Sequence, residues 1–192
     1  MPNHVRNILT TDPEVIAFLA GSVDQQIDFE KIIQTPEELM MAPSYTNDQL
    51  DIYETRDDLA PVEERIEQEH LEFDDRARLK QIYGFDNWHE WRLEHWGTKW
   101  NAYNIETHVD VAYFDTAWSM PGSFYHHLSQ RFPQHELLIK WAEEDTGINF
   151  GQGSLKKGQW QRCDILEGTD TRVKRALLTE LLGTNWDQPY DD

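Results

Sequence analysis

The order of patterned segments predicts an α+β fold built on an antiparallel sheet with two helices. Three observations carry this expectation. Short alternating apolar runs have strand length, two amphipathic stretches have helix start and stop residues, and together they follow a β-α-β-β-α-β order. At 192 residues the chain is long enough to bury a core and is most simply one domain spanning 1–192.

His4 to Thr10 alternates Val5, Asn7 and Leu9 against Arg6 and Ile8 and reads as the first strand. Thr11 or Asp12 caps a helix with Pro13 and Glu14 in its first turn, an apolar face of Val15, Ile16, Phe18 and Leu19, and Gly21 as its stop. Ile27 to Ile33 reads as a second strand. Pro36 to Met41 supplies one or two helical turns that Pro43 ends, and 44–60 is a polar loop or a set of short helices. From Pro61 to Gly84 the apolar residues Val62, Ile66, Phe73, Ala77 and Ile82 recur at helical spacing, and Asp86 caps another helix carrying Trp88, Trp91 and His95 on one face. Residues 46–95 are therefore expected to be a helical insertion between core strands two and three.

Asn104 to Thr107 and Ala112 to Trp118 read as paired strands about a turn near Val109-Asp110. Pro121 to Phe132 is the second long helix, facing inward with Phe124, Leu128 and Phe132. Glu136 to Trp141 is the last core strand, through Leu137 and Ile139. The whole is a ferredoxin-like sandwich. Beyond it, Gly147, Gly151, Gly153 and Gly158 are read as loop punctuation. Residues 159–165 add an edge strand and Arg172 to Leu182 a helix capped by Thr169 or Asp170, so that 151–192 forms a hairpin-helix extension with a frayed end at Asp187 to Asp192.

Charge narrows the function classes. The chain carries 36 acidic and 17 basic side chains, a net charge of −19. Fifteen of the acids and six of the bases fall within 46–95. A field of this sign repels phosphates and attracts basic surfaces, and no Lys/Arg stripe accompanies the aromatics, so direct nucleic-acid binding is disfavoured. Simple solubility is the plainer reading; the sharper one is a polyanionic surface offered to a protein that grips DNA or RNA. No apolar run reaches membrane-span length, and the N-terminal stretch lacks a signal-peptide pattern. The single cysteine, Cys163, excludes an intramolecular disulfide and fits a reducing compartment, so the expected location is cytoplasmic.

Trp96, Trp100 and Trp118 lie within 23 residues, separated by small residues such as Gly97, Thr98, Ala102, Thr116 and Ala117. Each ring buries a large apolar area, so the segment reads as close-packed architecture with Trp100 and Trp118 buried on adjoining elements. Lys99 is expected to meet Asp115 beneath those rings, as an ion pair or a cation–π contact. The blocks Met1 to Asn7, Ile27 to Ile33, Trp96 to Ala102, Phe114 to Trp118, Leu128 to Pro133 and Trp141 to Asp145 resemble the YubB-like family. That resemblance covers roughly residues 1–45 and 85–150. It departs locally at Gln34-Thr35-Pro36 and Met120, and 46–84 and the tail after 150 lie outside it. It implies a ferredoxin-like fold and a gene carried by bacteriophages and plasmids, and it brings no catalytic residues with it.

Phosphate loops, dinucleotide fingerprints, zinc-spaced cysteine pairs and serine elbows are not found in the sequence. Cys163 has no sequence neighbour that would lower its pKa. His108 and Asp110 at i and i+2, with His126 and His127 on a helix, form a mixed His/carboxylate set suited to a transition metal such as zinc. Surface histidines are the plainer reading of that set, and the acidic run Glu143-Glu144-Asp145 reads as a solvated strand end. Asn3, His4 and Asn7 invite a binding role beside the plainer one of fold-specifying hydrogen-bond partners.

The leading expectation is a non-enzymatic counter-defence protein of a phage or mobile element, anti-CRISPR or anti-restriction, acting in the host cytoplasm without a cofactor. It would bind a host nuclease or other nucleic-acid-binding defence protein through Glu63, Glu64, Glu67, Asp74 and Asp75. The alternative is a metal-dependent enzyme, such as a nuclease, using His108, Asp110, His126 and His127. A third is an acidic structural or replication accessory.

Overall fold

A computed structural model describes residues 3–20, 27–41, 75–144, 149–166 and 171–183. They divide into two compact units, residues 1–34 with 94–192, and residues 35–93. In chain order the elements are β1 (His4–Thr10), α1 (Pro13–Ala20), α2 (Glu37–Met41), α3 (Trp88–Trp96), β2 (Tyr103–Thr107), β3 (Val111–Ala117), α4 (Gly122–Arg131), β4 (Leu137–Glu143), β5 (Phe150–Lys156), β6 (Gln159–Ile165) and α5 (Thr171–Leu182).

The first unit is built on one six-stranded sheet in the order β2-β3-β1-β4-β5-β6, every neighbour antiparallel. The first four strands, with α1 and α4 as crossovers, give the β-α-β-β-α-β arrangement of a ferredoxin-like α+β fold. Alternation along the strands decides what each face buries. Val5 and Leu9 of β1, Phe114 of β3 and Ile139 of β4 are buried together with Val15, Ile16 and Leu19 of α1 and Phe124, Tyr125 and Leu128 of α4. Phe29 joins this layer, stacked on Phe124 at 4.1 Å and edge-on to Trp96 at 5.6 Å. Ile8 points to the opposite face, where Ala142, Phe150 and Leu166 pack with Leu177, Leu178 and Leu181 of α5. The C-terminal hairpin and helix thus give the sheet a second covered face.

Asp12 caps α1 as expected, its Oδ1 accepting from the Glu14 N–H at 3.0 Å. The strand expected at Ile27 to Ile33 is instead a short 3₁₀ helix over Phe29–Lys31. Asp28 Oδ1 accepts from the Glu30 N–H (3.1 Å) and from Asn101 Nδ2 (2.7 Å), while Asn101 Oδ1 takes the Phe29 N–H (2.9 Å). The neighbouring Asp28 and the distant Asn101 thus satisfy backbone N–H groups that a strand partner would otherwise take. Core strands two and three are consequently β2 and β3. The long intervening segment precedes core strand two rather than separating strands two and three.

Gly158 lies in the β5–β6 turn as read and Gly147 lies outside the described residues, but Gly151 and Gly153, also read as loop punctuation, belong to strand β5. Its glycines are sites of close approach: a Cβ on Gly151 would lie 2.6 Å from Trp141 Cζ2, and one on Gly153 2.7 Å from Trp160 Cζ3. Both rings lie against backbone where other strands carry side chains.

Within residues 35–93, Leu39, Leu79 and Trp91 are buried. Residues 75–83 are helical, Arg78 pairs with Glu38 at 3.0 Å, and Arg92 donates to Thr35 Oγ1 at 3.0 Å with its guanidinium 5.2 Å from the Trp88 ring centre. Asn87 rather than Asp86 caps α3: its Oδ1 takes the Glu90 N–H at 2.9 Å, while Asp86 accepts from the Asn87 amide. Of the acidic segment expected at 46–95, residues 46–74 lie outside the described residues.

Candidate functional site

At one end of the sheet, the start of β1 meets the ends of β3 and β4 and the start of β2. Here Asn3 ties three segments together. Its carbonyl accepts from the Trp118 N–H (3.0 Å), and its amide donates to Oε1 of the buried Glu143 (2.8 Å). The Glu144 carboxylate accepts from the His4 N–H (2.8 Å), and His4 Nδ1 shares a 2.7 Å hydrogen bond with the Tyr103 hydroxyl. Partial burial first, then the Asp115 and Glu144 carboxylates, push the Tyr103 phenol up to about 12.

The expected Lys99–Asp115 contact is replaced. Asp115 accepts from Arg6 (3.2 Å) and from Asn104 Nδ2 (2.9 Å). The Lys99 ammonium instead lies 4.1 Å from the Trp100 ring centre and 5.7 Å from that of Trp118, inside cation–π range of both. Nor are those two tryptophans buried. Trp100 is 40% and Trp118 50% exposed, whereas Trp96 is fully buried and donates to the Ile33 carbonyl at 2.9 Å. One tryptophan of the motif serves the core, and two remain at the surface around a lysine.

A buried hydrogen-bond chain holds this end in shape. The Tyr125 hydroxyl reaches Asn7 Oδ1 (3.4 Å), Asn7 donates to Thr116 Oγ1 (3.0 Å), Thr116 to the Ser119 carbonyl (2.7 Å), and the Ser119 hydroxyl to the Gly97 carbonyl. Above it, Trp118 (φ 69), Asn104 (φ 50) and Asn149 (φ 53) all have left-handed backbone, with the Asn149 amide donating to the Trp118 carbonyl at 3.1 Å. A left-handed bulky residue costs on the order of 1–2 kcal/mol and persists only where its surroundings impose it. Alternating apolar pattern carries no trace of such strain, so the sequence alone did not expose it.

The metal set expected at His108, Asp110, His126 and His127 is not assembled. His108 sits by the β2–β3 turn against Glu106 (3.0 Å), and Asp110 is exposed there, its carbonyl accepting from the Thr11 N–H. His126 and His127 lie on α4. Gln130 donates to His126, which lies beside the β5–β6 turn at Gly158, and His127 Nδ1 donates to the Ser123 carbonyl at 2.8 Å. The β2–β3 and β5–β6 turns belong to opposite edges of the sheet. Among the described residues, the group brought within metal-binding reach is a different one: Asp12, Glu14 and His135, whose ligand atoms lie within 4.8 Å of one another.

Of the expected partner-binding carboxylates, Glu63, Glu64, Glu67 and Asp74 lie outside the described residues; Asp75 is exposed, 3.7 Å from Arg78 Nε. Partial desolvation and the neighbouring Asp164 raise the Cys163 thiol above its ordinary value, away from a nucleophile's range.

Residues 95–181, from the last turn of α3 to that of α5, match the family model described as "Ferredoxin-like domain in Api92-like protein". The crystal structure of a protein api92 from Yersinia pseudotuberculosis is similar at 11% sequence identity, with a TM-score of 0.40 covering 88% of this chain and 100% of that one. No curated protein matches the chain. Lys99, Trp100, Tyr103, Asp115, Trp118 and Glu143 all fall within the matched residues 95–181, and Asn3 and His4 reach them from the start of the chain. No helix among the described residues is long and apolar enough to cross a membrane.

Proposed function

We propose that the protein works by binding another protein, as a counter-defence factor of a bacteriophage or plasmid in the host cytoplasm. Its target in this reading is a basic, nucleic-acid-binding defence protein such as a CRISPR or restriction nuclease. The observation that carries the reading is the pair Trp100 and Trp118, left exposed around Lys99, with Trp118 on left-handed backbone. Exposed, positioned tryptophans are the side chains that dominate protein interfaces. The net charge of −19 selects the partner, because it steers basic surfaces inward and repels nucleic acid. The YubB-like resemblance supports a mobile-element setting. The metal-dependent enzyme alternative loses support, because its four side chains lie at separate places.

Phage plating on a host that carries the defence system tests the reading. Cells expressing the protein should protect the phage, and the purified protein should bind the nuclease and exclude its DNA. Trp100→Ala with Trp118→Ala should remain folded and lose both properties. Full protection by that folded double variant would overturn the assignment of this surface.

A further inference from the structure

We propose that Asp12, Glu14 and His135 form a binding site for one divalent transition-metal ion, with zinc as the probe. The site lies where α1 begins and the chain enters β4, so it is separate from the tryptophan surface and independent of the partner reading. The His135 ring is 18% exposed and both carboxylates reach it, Asp12 at 3.5 Å from Nδ1 and Glu14 at 3.3 Å from Nε2, with one ligand atom from each of the three residues within 4.8 Å of the others. Its backbone is anchored by the His135 N–H to the Phe132 carbonyl (3.1 Å), and its ring stands 6.5 Å from that of Phe132. Across the gap, Thr11 Oγ1 donates to the Glu136 carbonyl (2.9 Å), which fastens the residue before Asp12 to the residue after His135. The Asp12 carboxylate is held in turn by the Glu14 N–H. The ligand carriers are thus set by backbone contacts rather than by free loops.

The chemistry of the donors points to the ion. One imidazole nitrogen and two carboxylates suit zinc, manganese or cobalt; calcium takes six to eight oxygens, and softer ions favour thiolates. Charge points the same way. A dication balances both carboxylates, in a chain already at −19. Three protein ligands leave an open position for water.

Calorimetric titration of the full, chelator-stripped chain with zinc chloride tests the site. We expect one saturable equivalent and a rise in melting temperature. Glu14→Gln and His135→Gln should each weaken binding at least tenfold, while His126→Gln leaves it unchanged. Should His135→Gln fail to fold, Glu14→Gln decides, because that side chain is 65% exposed. The proposal is overturned by no saturable binding, or by folded variants that bind zinc as the wild type does, which would place the ion elsewhere on the acidic surface.

Discussion

Trp96 and Trp100 are four residues apart and have opposite fates. Trp96 is fully buried against Phe29 with its N–H satisfied, so Trp96→Ala should cost about 3–5 kcal/mol as a large-to-small core change. Trp100→Ala removes a ring 40% exposed and one cation–π contact, and should cost only about 1 kcal/mol. Denaturant melts of the two variants would separate them; equal losses would mean that Trp100 belongs to the core. Tyr103 gives a second residue-scale outcome. Its phenol titrates near 12 when folded against an ordinary value of 10.0, so the folded state holds the proton more tightly in between. That contribution to stability is fully present below pH 10 and is lost as pH rises from 10 towards 12. Phenolate absorbance during alkaline titration should show Tyr103→Phe lacking one late-titrating group. Tyr125, fully buried, is also raised by desolvation and remains as the internal reference.

At the scale of elements, the turn between α3 and β2 is set by contact with the start of α4. Gly97 has φ 84, and a Cβ there would lie 2.8 Å from the Gly122 backbone nitrogen. Left-handed strain and backbone displacement together predict that Gly97→Ala loses upward of about 2 kcal/mol. It should also loosen the Ser119–Gly97 hydrogen bond beneath Trp118, which thermal melts and tryptophan fluorescence would register. An unchanged melt with wild-type fluorescence would mean that the contact is slack. β1, α1, β3, α4, β4 and α5 were legible through an apolar period or a capping residue, and β6 was read as an edge strand. The 3₁₀ helix at Phe29–Lys31 and strand β5 were not. Asp28 and Asn101 are 73 residues apart in sequence, and the rings that need Gly151 and Gly153 come from neighbouring strands.

For the whole molecule, the charge of −19 makes association with a basic target depend on ionic strength. Screening acts beyond a Debye length of about 8 Å at physiological salt, so under the proposed function the association rate should fall steeply as salt rises, with the dissociation rate set by Trp100 and Trp118. Reversing Glu63, Glu64, Glu67, Asp74 and Asp75 to Lys should leave the melting temperature nearly unchanged and flatten that salt dependence. Stopped-flow or surface-binding kinetics against the nuclease would check it; an unaltered salt slope would remove these carboxylates from the steering surface. The sequence by itself determined the α+β class, the strand and helix order from β2 to β4 and the sign of the field, because these follow from local periodicity and from composition. Tertiary structure alone decided which tryptophan is core and which is surface, that Asp115 pairs with Arg6, and that Asp12 and Glu14 meet His135. Each of these is a contact between residues far apart in the chain, and such contacts are selected by the packing of the sheet rather than by any pattern along it.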